Sequence, residues 1–213
     1  MTSFLNKQTI YRIFFGTIYA LVWIYVIIED NNIPFLMFIY TLAAGTLYEL
    51  VKINSTPYYY FKIGLIIYVI MSFFLLITIY NFDNGKPLLL ILCFQVWSND
   101  VGGYIIGKLL GKSTFSHISP KKTWEGIIGS FIVCLITGTY FQSLINLYIE
   151  IHWISLCLAI SIACISGDLF ISKFKRISSQ KDSGTFLPGH GGFLDRLDSL
   201  FLATLVYYLI ICI

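Results

Sequence analysis

Between Ser172 and Asp198 the chain reads SKFKRISSQKDSGTFLPGHGGFLDRLD, the one long polar run in an otherwise apolar sequence. It gathers Lys173, Lys175, Arg176, Lys181 and Arg196 with Asp182, Asp195, Asp198 and four glycines. Charge placed beside apolar helices marks a spot where something wet and charged is handled. Bases, carboxylates and glycine-rich backbone are together the groups that hold phosphate and a divalent cation.

Two further acids fall inside apolar runs. Asp100 stands in VWSNDVGGYIIGKLLG, about eight residues before Lys108, and Asp168 stands in CISGDLFISKFKR. On helices rising about 1.5 Å per residue, they lie roughly 12 Å and roughly 9 Å below the same surface. Acids in hydrocarbon are costly to leave unpaired, so a shared polar cavity is expected. The plainer alternative is a pair of acids that bond lysine or backbone in helix packing. Asp168, Ser172 and Lys175 recur at i, i+4 and i+7, which puts an acid, a hydroxyl and a cation on one helix face. Asp195 and Asp198 also share a face, at i and i+3, although the helix dipole alone favours acids in a first turn. Asp168 and Asp195 are the candidate ligands of a hard cation. Magnesium needs only a few carboxylates, completing its shell with phosphate oxygens and water. Histidine and cysteine are missing from the right places, which argues against zinc. His190, alone between glycines, reads as a turn residue or a phosphate-contacting donor.

Pro188-Gly189-His190-Gly191-Gly192 predicts a tight turn whose N–H groups could approach phosphate oxygens. Lys175, Arg176, Lys181 and Arg196 flank it and could neutralise the charge. A second polar loop, SHISPKKTWEG over Ser116–Gly126, offers Lys121, Lys122 and Thr123 to phosphate, with Glu125 placed to orient a lysine or a metal-bound water. It reads equally as a solvated loop in which Thr123 caps the next helix. Gly103, Gly107 and Gly111 repeat at every fourth residue, the small-xxx-small pattern of close helix packing. Neither a GxxxxGK[ST] nor a GxGxxG motif occurs. Any nucleotide must therefore be held by membrane helices and their loops.

The elements that must position these groups follow from composition. The 213 residues are 57% hydrophobic and 12% charged, with mean hydropathy +0.80 and net charge +3. Soluble domains carry roughly 25% charged residues. An all-α, polytopic membrane protein is expected. Seven runs approach the 20 or so residues a bilayer requires: Ile10–Ile28, Ile33–Val51, Tyr58–Tyr80, Pro87–Lys108, Gly126–Ile149, Trp153–Phe174 and Ser199–Ile213. With seven spans, thirteen of the fourteen Lys and Arg residues collect on one side, which the positive-inside rule makes the cytoplasm. No cleavable signal is apparent. All five cysteines lie in apolar runs without a CxxC pair and read as core hydrophobes. The chain divides by character into residues 1–86, about three spans, and residues 87–213, about four spans with both polar loops. The second part is expected to hold all the intramembrane acids and the chemistry, within a single membrane unit.

The run Ser172 to Asp198 resembles, in every spacing, the signature of phosphatidate cytidylyltransferases, also called CDP-diacylglycerol synthases. Ser119-Pro120-Lys121-Lys122-Thr123-Trp124-Glu125-Gly126 resembles the family's shorter second block. Asp100 to Tyr104 is similar to a third, with a departure at Val101-Gly102-Gly103. The likeness covers roughly residues 95–200. It implies that CTP and phosphatidate give CDP-diacylglycerol and pyrophosphate, in a magnesium-dependent site with a second cation left open. The implied acid pair is Asp168 and Asp195, with catalytic roles for Lys175, Arg176, Lys181 and Asp182. Substrate contacts are expected from Asp100, Lys121, Lys122, Thr123, Glu125, Ser172, His190, Gly191, Gly192, Arg196 and Asp198. A homodimer in a bacterial inner membrane is implied, with lipid entering from the inner leaflet and CTP from the cytoplasm. No nucleic-acid partner is expected. Two alternatives stay open. One is a related CTP-dependent lipid enzyme, such as a polyprenol or dolichol kinase or an ether-lipid cytidylyltransferase. The other is a transporter of phosphorylated solutes, whose polar residues would fall on both sides of the midplane.

Overall fold

The computed structural model describes residues 7–53, 58–145, 153–180, 183–184 and 191–212. They form seven helices: α1 Lys7–Ile28, α2 Asn32–Lys52, α3 Tyr59–Tyr80, α4 Gly85–Leu110, α5 Trp124–Ile145, α6 Trp153–Ile177 and α7 Leu194–Ile211. Each expected span falls on one of them. Among the described residues there is no strand, only an isolated bridge between Thr114 and Thr123. A spanning segment in lipid must satisfy its own backbone, which leaves the helix as the form such apolar runs take. Five helices (α2 to α6) are long and apolar enough to cross a membrane, and Phe14–Ile28 of α1 is a shorter apolar stretch. The chain is an all-α integral membrane protein. In α7 the charged residues Asp195, Arg196 and Asp198 occupy the first turns, five residues ahead of the expected start at Ser199.

Successive helices alternate in direction, and lysines tie their ends together. Lys62 of α3 donates to the carbonyls of Val51 and Ile53 at 2.7 and 2.8 Å, covering the end of α2. At the opposite end of the bundle Lys86 donates to Glu29 O at 2.8 Å, and Tyr80 Oη donates to Asn32 Oδ1 at 3.1 Å. Helix C-termini leave carbonyls unpaired, and a cation there meets both the hydrogen-bond need and the dipole.

The glycine stripe on α4 packs against α5, as its spacing predicts. A Cβ on Gly103 would stand 2.5 Å from Ser130 Oγ, one on Gly107 3.1 Å from Thr123 Oγ1, and one on Gly126 2.9 Å from Gly103 O. The two backbones therefore approach closely, and this fixes Asp100 relative to the loop that joins the helices. That loop closes as a small hairpin, with Phe115 N–H donating to Lys122 O at 2.7 Å and Trp124 N–H to Ser113 O at 3.2 Å. Thr123 caps α5 by accepting from Gly126 N–H at 3.1 Å. Inside the bundle, α3 and α7 meet around Phe201, whose carbonyl accepts from Ser72 Oγ at 3.2 Å. Tyr207 Oη donates to Leu88 O at 3.1 Å and ties α7 to α4.

Candidate functional site

At the end of the bundle where α4 and α6 finish and α5 and α7 begin, a cavity of about 390 Å³ opens. Its walls come from α4 (Asn99, Asp100, Gly103, Tyr104), the hairpin (Ser119, Lys121, Lys122, Thr123) and α5 (Gly126, Ile127, Ser130). Ile165 and Asp168 of α6 complete it, with Asp195, Asp198 and Ser199 of α7. Four carboxylates and two lysines thus share one space. All three sequence blocks reach it, including Asp100, which accepts from Ser199 Oγ at 3.2 Å.

Asp168 is held from two sides. Ser172, one turn along α6, donates to Oδ1 at 3.1 Å. Lys122 of the hairpin pairs with Oδ2 at 2.7 Å and reaches Ile165 O at 3.5 Å. Both partners are about a quarter exposed, so the pair stays in contact with the cavity.

Asp195 is more heavily committed. Lys175, almost fully buried on the same face of α6 as Asp168 and Ser172, pairs with Oδ1 at 2.5 Å. On Oδ2 converge Ser183 N–H at 2.9 Å, Ser183 Oγ at 3.1 Å and Gly192 N–H at 3.1 Å. The glycine turn therefore gives one N–H to Asp195. Gly191 has φ +86°, a left-handed conformation that side chains resist, and a Cβ there would meet Asp195 Oδ2 at 2.7 Å.

Other expected residues stand elsewhere. Glu125 accepts from Ser113 Oγ at 3.3 Å within the hairpin and is not part of the cavity wall. Arg176 Nη1 donates to Gln180 O at 3.4 Å, closing the end of α6. Arg196 is exposed on the first turn of α7, outside the cavity lining. Lys181, Asp182 and His190, with Pro188 and Gly189, lie outside the described residues.

Sequence reasoning missed three contributors. The largest is Glu49, and it corrects the expectation that residues 87–213 hold all the intramembrane acids. Glu49 is buried in the last turn of α2 and accepts from Ser183, Phe193 and Leu194. The signal was present, since an acid inside an apolar span is the same cue that singles out Asp100 and Asp168. Asn99, buried beside Asp100, accepts from Ser161 Oγ at 2.6 Å. Ser183 becomes visible only when the fold sets it between two carboxylates.

Among the described residues, no three acid, histidine or cysteine side chains form a ready-made metal cage. The donors that line the cavity are oxygens, from Asp100, Asp168, Asp195, Asp198, Asn99, Ser130 and Ser199. Such a set fits a hard cation that brings water and phosphate oxygens as its remaining ligands.

The model of the cytidylyltransferase family matches residues 7–213. The chain belongs to this family. It is 42% identical over 148 residues to a phosphatidate cytidylyltransferase of Bacillus subtilis (strain 168), covering 68% of this chain and 55% of that protein. It is 45% identical over 136 residues to one from Synechocystis sp., covering 62% and 45%. A phosphatidate cytidylyltransferase of Rickettsia typhi is 32% identical over 212 residues, covering 95% and 92%. The chain thus spans about half the length of the Bacillus and Synechocystis members and nearly all of the Rickettsia one. The family's matched region includes every helix and every wall of the cavity.

Proposed function

We propose that the chain transfers the cytidylyl group of CTP to phosphatidate, giving CDP-diacylglycerol and pyrophosphate. One observation carries this reading. The Lys122–Asp168 pair ties the short basic block to α6 at a cavity wall that Asp195 and Asp198 of the long polar block also line, at one end of apolar helices. Two polyanions must meet in this reaction, and a site of lysines and carboxylates at that level suits the meeting of a water-borne triphosphate with a lipid phosphate. The relatives' names point the same way.

A phosphatidate oxygen attacks the α-phosphorus of CTP, forming the new P–O bond as the bond from the α-phosphorus to pyrophosphate breaks. The phosphate is already a nucleophile at neutral pH, so placement and charge neutralisation are what the protein supplies. Lys121 and Lys122 line the cavity and are placed to bind phosphate oxygens. Lys175, held by Asp195, adds a fixed positive charge behind the wall. Asp168 and Asp195 would hold a magnesium ion, with Asp100 and Asp198 facing the same space. Magnesium, when bound, supplies charge to the triphosphate and leaving pyrophosphate.

In this reading the cavity faces the cytoplasm, where the basic ends of α2, α4 and α6 would lie by the positive-inside rule. Val101, Tyr104 and Ile105 are exposed on α4 beside Asp100. They offer a path for phosphatidate to enter with its acyl chains still in the inner leaflet. A homodimer in the cell membrane is part of the same proposal.

The test uses purified protein in detergent with CTP carrying label at either the α- or the γ-phosphate. Label from the α position should appear in the lipid fraction when phosphatidate is the acceptor. Lipid labelled from the γ position, on phosphatidate or on a polyprenol, would replace this reading with a lipid kinase.

A further inference from the structure

Glu49 is 5% exposed and stands apart from the cavity wall, yet three donors converge on its carboxylate. Phe193 N–H reaches Oε1 at 2.9 Å, Leu194 N–H reaches Oε2 at 3.0 Å, and Ser183 Oγ reaches Oε2 at 2.8 Å. Phe193 is the N-cap of α7 and provides no side-chain cap of its own. The first N–H groups of a helix need outside acceptors, and an anion there also meets the positive end of the dipole. Glu49, from a different helix, meets both needs.

The same carboxylate reaches toward the cavity through Ser183. That hydroxyl stands 2.8 Å from Glu49 Oε2 and 3.1 Å from Asp195 Oδ2, and Asp195 holds Lys175. A line of polar contacts thus runs from α2 through Ser183 and Asp195 to α6. The backbone is cleared for it, since a Cβ on Gly184 would stand 2.6 Å from Glu49 Oε1.

We infer that Glu49 is a positioning residue for the reaction, fixing Ser183 and the first turn of α7 so that Asp195 and Lys175 keep their places. The inference rests on the proposed activity. Glutamine keeps the size of the side chain but turns one acceptor into a donor. At least one of the three donors then loses its partner in a buried place.

The test compares wild type, Glu49→Gln, Ser183→Ala and the double variant in detergent. Turnover is expressed per folded molecule, with the folded amount read by size-exclusion chromatography. In parallel, Leu194→Cys is placed in a Cys212→Ser background, because Leu194 is fully buried and Cys212 is the exposed cysteine among five. Maleimide labelling of that cysteine reads whether α7's first turn stays docked. Turnover per folded Glu49→Gln molecule should fall about tenfold or more, and labelling should rise. Ser183→Ala should cost much less in the Glu49→Gln background than in wild type, as residues of one network do. Unchanged turnover per folded molecule overturns the inference, even if the yield of folded protein drops. Unchanged labelling overturns it as well. A wild-type chain that releases no pyrophosphate from CTP and phosphatidate sinks the functional reading instead, and the labelling comparison still decides whether Glu49 docks the helix.

Discussion

Lys122 Nζ lies 2.7 Å from Asp168 Oδ2, joining the hairpin between α4 and α5 to the middle of α6. Asp168 is an acid within an apolar run and Lys122 one of two adjacent lysines in the hairpin, and each answers the other's charge. The pair remains partly open to the cavity, so an incoming phosphate can compete for the lysine without first unfolding anything.

Lys122→Met should therefore lower kcat/KM for CTP by about a hundredfold, the scale on which removal of a fixed charge-stabilising donor acts. Lys112→Met, exposed on the same hairpin but outside the cavity, should stay within about twofold of wild type on the same scale. Steady-state pyrophosphate release checks both. Equal losses in the two variants would mean that the hairpin contributes only bulk positive charge.

Gly191→Ala tests the clasp around Asp195. Its φ of +86° and the 2.7 Å approach to Asp195 Oδ2 make any side chain unfavourable. The expected cost is about 1–2 kcal/mol for the backbone conformation alone, read as a lower unfolding temperature in detergent. An unchanged unfolding temperature would show that the turn tolerates a Cβ.

The α4–α5 contact gives a prediction about stability. Gly103→Leu must displace Ser130 and should destabilise by about 3 kcal/mol or more. Gly64→Leu, with nothing within 4 Å of the added Cβ, should be neutral within about 0.5 kcal/mol. Fluorescence-detected size-exclusion after heating separates the two. Equal losses would place the cost in generic leucine effects rather than in this interface.

Much of this was legible in the chain. Apolar runs of spanning length predict the seven helices because lipid leaves few other ways to satisfy the backbone. The every-fourth glycines of α4 predict its close partner. Asp100, Asp168, Asp195 and Asp198 were each visible as acids beside or within hydrocarbon, and all four reach one cavity. Direction within the site was less legible. Glu125 and Arg176 share the motif's spacing, yet their partners turn out to be Ser113 and Gln180. Spacing along one helix says which face a residue occupies, not which neighbouring loop folds over it. Glu49 and Ser183 come from opposite ends of the chain, and a contact of that separation leaves no periodic trace in sequence.

The most direct measurement is pyrophosphate release from CTP and phosphatidate by the detergent-purified chain and its Asp168→Asn variant, across a magnesium titration. The account predicts magnesium-dependent release by the wild type, abolished by chelation. It predicts that Asp168→Asn loses about a hundredfold or more of that turnover at saturating lipid. Near-normal, magnesium-insensitive release by Asp168→Asn would contradict it.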